Sequence, residues 1–239
     1  MRTDTAPALE ASRELARAAA LGLLSQALAY PTASAVRDLL DEDLPFALAL
    51  SEALPPAVAE ALGELAAAVE GVTAEGLEEG FRDRFSHVHS QDCPLYETDH
   101  VRREVWRQAA DLADLGGFYR AFGLEESGER MDHASVELEF LHVLAYKRAW
   151  ALEHGQAEHA EVCRLAEETF LRDHVLRWLP DVAERLRTVG AGSPYAEVGR
   201  LMGEVLRAES ARTGVPITTR EPVEPVEGPA EVALCEEPP

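Results

Sequence analysis

The chain has 239 residues, 46% of them apolar, a formal net charge of −22 and no run of about 18 apolar residues; it is long enough for a sizeable core and offers no membrane-spanning helix. So acidic a body repels phosphate backbones and anionic bilayer surfaces, which excludes nucleic acid as a partner, and it attracts cationic ones over roughly the ~8 Å Debye length of physiological salt. Ala, Leu, Glu and Arg dominate over β-branched and aromatic residues, so an all-α fold is expected.

In chain order, the first predicted helix runs from about Ser12 to Tyr30 and is closed by Pro31. Glu10 and Glu14 stand where a signal peptide would carry its basic residues, so the segment reads as an amphipathic helix of the mature protein. Shorter helices are expected at about 34–40 and 44–54, followed by one opened by Pro56 and ended by Gly71. Thr73 caps the next, whose Leu77, Phe81, Arg84, Phe85 and Val88 form one face. The stretch His87 to His100 then interrupts the pattern. From Val101 a helix extends to Gly116-Gly117, with a separate short turn over "FYRAFGL". A long helix follows to about His154, with Asp132 as its expected N-cap. Helices at about 156–173, 174–189 and 194–213 complete the series. Loops are short throughout, as in one compact bundle of about ten helices over residues 1–214. Residues 215–239 hold six prolines and six acids against Arg220 and are expected to be a disordered tail.

Cys93, Cys163 and Cys235 form no C-x-x-C pair, a pattern that fits a reducing compartment and a cytoplasmic location. The run "HVHSQDCPLYETDH" raises the question of a metal. Its spacing is not that of a structural zinc site. Two Glu-x-x-His matches, Glu97 to His100 and Glu139 to His142, have the spacing of di-iron carboxylate bundles. With eight histidines and 44 acidic residues in the chain, however, such matches arise by chance. Glu97, close behind Pro94, is expected to cap a helix start, so no metal or cofactor is assigned.

The segment "GERMDHASVELEFLHVLAYKRAW" reads as a helix apolar nearly all round, hence central. Helical spacing sets Glu137 among Phe140, Leu141 and Leu144, and Glu139 among Val143, Tyr146 and Trp150. A buried carboxylate needs a partner, and His133, one turn before Glu137, is the expected one.

Taken together, "CPLYETDH" and "FYRAFGLEESGERMDHASVELEFLHVLA", with "FLRDHVLRWLPDVAERL" and "SPYAEVGRLMGEVL" downstream, resemble the TorD/DmsD/NarJ family of molybdoenzyme-specific chaperones, over about residues 12–213. Met131 departs from the proline that the family often carries before Asp-His. The resemblance implies a non-enzymatic cytosolic helical bundle. Its implied partner is the apo catalytic subunit of a molybdopterin oxidoreductase, bound through an N-terminal or twin-arginine leader segment until its cofactor is inserted. The net acidity fits such a cationic, apolar segment. The implied binding residues are Glu97, Asp99, Asp132, His133 and Glu137 towards the cationic end, and Tyr96, Phe118, Tyr119 and Phe122 towards the apolar end. The Cys93 and Asp132 segments are expected to be neighbours in space. A homodimer is compatible with such a bundle. A di-iron carboxylate protein and a generic helical peptide-binding scaffold are the alternative readings, whereas no phosphate loop, G-x-S-x-G or H-E-x-x-H supports an enzyme.

Overall fold

A computed structural model of the chain describes residues 5–85, 93–100, 105–125 and 128–218. Its α-helices, in chain order, are α1 (Thr5–Leu28), α2 (Ala33–Asp38), α3 (Leu44–Ala49), α4 (Pro56–Ala68), α5 (Ala74–Phe85), α6 (Glu97–His100), α7 (Val105–Ala121), α8 (Ala134–Glu153), α9 (Ala157–Asp173), α10 (Leu179–Val189) and α11 (Pro194–Thr213). No strand interrupts them among the described residues, so the all-α expectation holds. His87, His89 and Cys235 lie outside the described residues, as does the tail from 219 onward.

The core is one contiguous apolar cluster drawn from nearly every helix. Its spine is α1 against α8, the most extensive packing in the molecule. Their close approach has a visible cause at Gly22. A Cβ built there would sit 2.9 Å from His142 Nδ1, and that same nitrogen lies 2.8 Å from the Ala18 carbonyl. Ser25 of α1 donates to the carbonyl of Ser135 at the start of α8, 2.8 Å away. Around this pair, α9 packs on α8, α11 packs on α10 and α4, and α2 touches α5.

Several boundaries differ from the sequence reading. α1 begins seven residues before Ser12. A π-helical stretch, Leu39–Asp43, fuses α2 to α3. α7 continues through Gly116-Gly117 and absorbs the predicted separate turn. Two helical glycines cost about 1 kcal/mol each, but the same helix buries Leu115 and Tyr119 and packs Phe118 on the core, with Phe122 just beyond its end, which outweighs that cost. The predicted helix from His174 is split: Val175–Arg177 is 3₁₀ and α10 starts at Leu179. Pro180 in its first turn, which has no N–H to donate, fits the break.

α11 ends as helices commonly do, at Gly214 in the left-handed conformation (φ 75°). The chain nevertheless stays on the body beyond the expected boundary at 214. Val215 is buried and Ile217 packs on the core, while the Thr218 N–H donates to the Leu176 carbonyl at 3.2 Å. No described helix is long and apolar enough to cross a membrane.

Candidate functional site

The two segments singled out by the sequence meet through their backbones. Tyr96 and His133 form an isolated antiparallel β-bridge. In it the Glu97 N–H donates to the Asp132 carbonyl and the Ala134 N–H to the Leu95 carbonyl, both at 2.8 Å. This clasp joins the entry of α6 to the entry of α8, as the spatial-neighbour expectation requires.

Side chains reinforce it. Asp132, fully buried, does not cap α8. Its Oδ2 accepts from Thr98 Oγ1 at 2.7 Å, from the Thr98 N–H at 3.3 Å and from Arg130 at 2.9 Å. It thus satisfies a free amide of the short α6 instead, an N-terminal carboxylate at a helix start. The cap of α8 is His133, in extended backbone (ψ 142°), whose Nδ1 accepts from the Ser135 N–H and lies 2.7 Å from Ser135 Oγ. The expected His133–Glu137 pair is therefore not formed. Burial pushes the His133 imidazole towards its neutral form despite the charges of Glu129 and Asp132, which suits a ring nitrogen acting as acceptor.

Glu137 is fully buried and accepts from the indole N–H of Trp178 at 3.0 Å. Burial, together with the nearby charge of Glu97, raises its pKa well above the usual carboxylate range. Glu97 is buried too and does not cap α6. Its Oε2 lies 3.0 Å from His174 Nδ1, and His174 Nε2 lies 3.2 Å from the exposed Asp114 carboxylate. His174 is a site residue that sequence reasoning missed.

Burial alone would push the His174 pKa down; the Glu97 hydrogen bond and charge, with help from Asp114, lift it above the ordinary value. A raised imidazole contributes its full stabilisation below the unfolded value of about 6.5 and loses it as pH climbs through the folded value. This contribution to wild-type stability is accordingly expected to fall as pH rises from about 6.5 through the raised folded value. The difference curve between wild type and His174→Gln should carry about 1.5–3 kcal/mol at the acidic end, the worth of hydrogen bonds to charged groups. Urea unfolding across that range checks it, and parallel curves would refute the assignment.

The aromatic residues form one stack. Phe118 contacts Phe140, Phe170 and His174 edge-on. The buried Tyr119 packs on Phe140 and donates to the Met131 carbonyl at 2.8 Å, tying the turn at Met131 without the proline. Phe122 closes the row against Phe140. Facing outward are Tyr96, whose ring meets His133 edge-on, lies under the Arg130 guanidinium at 4.5 Å and carries a hydroxyl 3.2 Å from Glu129, and the exposed Asp99. The structure therefore divides the nine expected residues. Glu97, Tyr119, Asp132, His133 and Glu137 face inward, Phe118 and Phe122 are half-buried, and Tyr96 and Asp99 reach solvent.

The Glu-x-x-His matches do not converge. His100 Nε2 is 2.8 Å from the Pro94 carbonyl, His142 turns to α1, and Glu139 is exposed rather than set in the apolar surroundings expected of it. Among the described residues no group of three or more His, Cys, Asp or Glu is arranged to hold a metal ion.

Comparison with known proteins gives consistent matches. The family described as nitrate reductase delta subunit matches residues 51–184, more than half of the chain. The selenate reductase assembly chaperone protein of Thauera selenatis is 36% identical over 106 residues, 43% of this chain and 53% of that protein. The chlorate reductase assembly chaperone protein of Ideonella dechloratans is 34% identical over 106 residues, again 43% and 53%. The perchlorate reductase assembly chaperone protein of Dechloromonas aromatica (strain RCB) is 29% identical over 184 residues, 74% of this chain and 80% of that one. The match to the first two spans about half their length.

Proposed function

The chain belongs to the nitrate reductase delta subunit family, and from that premise we propose that it is a cytoplasmic assembly chaperone for a reductase. Its client is the apo catalytic subunit of a molybdopterin-containing oxidoreductase, held through an N-terminal segment, cationic and then apolar, until the cofactor is inserted. The observation that carries this reading is the Tyr96–His133 clasp, which draws the two chaperone-like segments into one place.

Within it the roles differ by exposure. Tyr96 and Asp99 touch the client, and Phe122 meets its apolar part. Glu97, Asp132, His133 and Glu137, with Phe118 and Tyr119, position that surface from within. Binding is the whole mechanism. An affinity near micromolar, about −8 kcal/mol, permits capture and release, and folding of the client around its cofactor withdraws the bound segment. The chaperones of selenate, chlorate and perchlorate reductases among its relatives favour this reading over a generic scaffold, and the diverging imidazoles count against the di-iron alternative.

The test is co-purification of the untagged apo catalytic subunit with the full chain, followed by titration of the subunit. The double variant Tyr96→Ala/Asp99→Asn changes only outward side chains and should weaken binding by roughly tenfold, about 1.4 kcal/mol, with unchanged circular dichroism. Binding should also weaken as salt rises. Failure of wild type to retain any reductase subunit would refute the proposal.

A further inference from the structure

The helix that looked apolar all round is not covered all round. On α8, Glu139, Tyr146 and Trp150 recur at i, i+7 and i+11, one stripe along about 16 Å of helix. All three are exposed, the two aromatics at 52% and 45%. Across from it on α9, Glu158 and Val162 stand one turn apart, with Val162 55% exposed. Between the helices lies an open apolar groove of about 570 Å³, walled by Phe122, Tyr146, Trp150, Val162 and Cys163. Half-exposed tryptophan, tyrosine and valine side by side are a surface that water wets poorly.

The charges around the groove are mostly acidic. Lys147, the chain's one lysine, stands at its edge and keeps its charge while donating to the neutral Phe122 carbonyl at 2.7 Å and lying over the Phe122 ring. Glu139, Glu153 and Glu158 are exposed at the ends of the stripe and make no ion pair among the described residues. An acidic neighbour would be repelled here. A segment with apolar side chains flanked by an arginine or lysine would bury its apolar part against Tyr146 and Trp150 and neutralise those acids.

We propose that the α8–α9 groove is a docking site for an apolar, cation-flanked stretch of unfolded polypeptide. Resting on the function proposed above, it is the seat of the apolar part of the client's N-terminal segment. Phe122, at once a wall of the groove and the end of the aromatic row behind the clasp, connects the two surfaces.

Lys147 supplies the readout. The full-length chain is treated with an amine-specific acetylating reagent, with and without a synthetic peptide of two arginines followed by about ten leucine and alanine residues. Acetylation of Lys147 is followed by mass spectrometry. The bound peptide is expected to slow Lys147 acetylation several-fold. Tyr146→Ala/Trp150→Ala should weaken peptide binding at least about tenfold; Phe46→Ala, an equally exposed aromatic on α3, should leave it unchanged. Glu139→Gln/Glu158→Gln should lower the affinity and flatten its salt dependence, and a peptide with serine for leucine should not bind.

Equal Lys147 acetylation with and without the peptide, or equal affinity in the Tyr146/Trp150 double variant, overturns the groove proposal. If the reductase subunit still co-purifies, the chaperone reading survives alone; if it does not, both fall. Protection of Lys147 in the free protein that fades on dilution also overturns it, identifying a second copy as the occupant.

Discussion

Asp132→Ala is expected to abolish client binding by dismantling the clasp, not by deleting a contact. The carboxylate is fully buried and collects three donors, the Thr98 N–H, the Thr98 hydroxyl and Arg130. Removing it leaves a four-residue helix without its N-terminal acceptor and the Thr98 donors unpaired. Each buried polar group so orphaned costs about 1–3 kcal/mol, and loss of a cap alone typically costs about 1 kcal/mol. A total near 2–4 kcal/mol is enough to open α6 without unfolding the bundle, whose α1–α8 spine does not depend on it. Asp132→Asn, which keeps an acceptor oxygen and the shape, should lose less. Amide exchange at Glu97, Thr98 and Ala134 separates this account from a direct contact. Faster exchange together with lost binding is the expected result; lost binding with exchange unchanged would mean that Asp132 touches the client itself.

The second large effect lies on the other side of α1. Arg17 donates through Nε to Glu209 Oε1 at 2.6 Å and through Nη2 to Glu209 Oε2 at 2.7 Å, and it also pairs closely with Glu14 and Glu167. Arg148 adds Glu10 and Glu14, and Arg212 adds Glu167 and Glu209. The network ties α1, α8, α9 and α11 together beside a cavity of about 760 Å³. Burial works against the Arg17 charge, yet Glu209, Glu167 and Glu14 more than restore it. Glu209, likewise buried, is held below the usual carboxylate range by Arg17 and Arg212. Arg17→Leu leaves three buried carboxylates, Glu14, Glu167 and Glu209, with only Arg148 and Arg212 to balance them, and breaking such a network from one side costs up to about 3–5 kcal/mol. The under-balanced carboxylates will take up protons in the folded state, so the deficit should shrink as pH is lowered from about 8 to about 5. Glu209→Gln added to Arg17→Leu should recover part of it. Urea unfolding of both variants at the two pH values checks this; a loss under about 1 kcal/mol would show that solvent already screens the cluster.

What the sequence made legible follows the range of the interactions. Helices α4 and α11 announce themselves through Pro56 and Pro194, prolines in the first turn that need no partner. The meeting of Tyr96 with Asp132–His133 was legible only through resemblance, since nothing at helical spacing joins residues 36 apart. The role of Asp132 was misread because a carboxylate before a helix fits a cap, and here a neighbouring helix start competed for it. Glu137 was readable as needing a partner, but that partner, Trp178, lies 41 positions downstream, and Glu97, read as a cap, is instead met by His174, 77 positions on. The Arg17 cluster was not read at all, since two of its carboxylates, Glu167 and Glu209, sit on the distant α9 and α11. Tyr146 and Trp150 illustrate the opposite failure: apolar residues around a helix read as burial, and the pattern cannot say that one neighbour is missing.

The tight seating of α8 on α1 bears on that uncovered stripe. With no side chain at Gly22, and with the His142 ring against α1, α8 has little freedom to rotate and fold its outer aromatics inward when no client is present. A receptor that cannot collapse on its own empty seat spends little ordering itself at the moment of capture. It stays ready at a standing cost in wetted aromatic surface, which the surrounding acids keep from gathering other copies of the same chain.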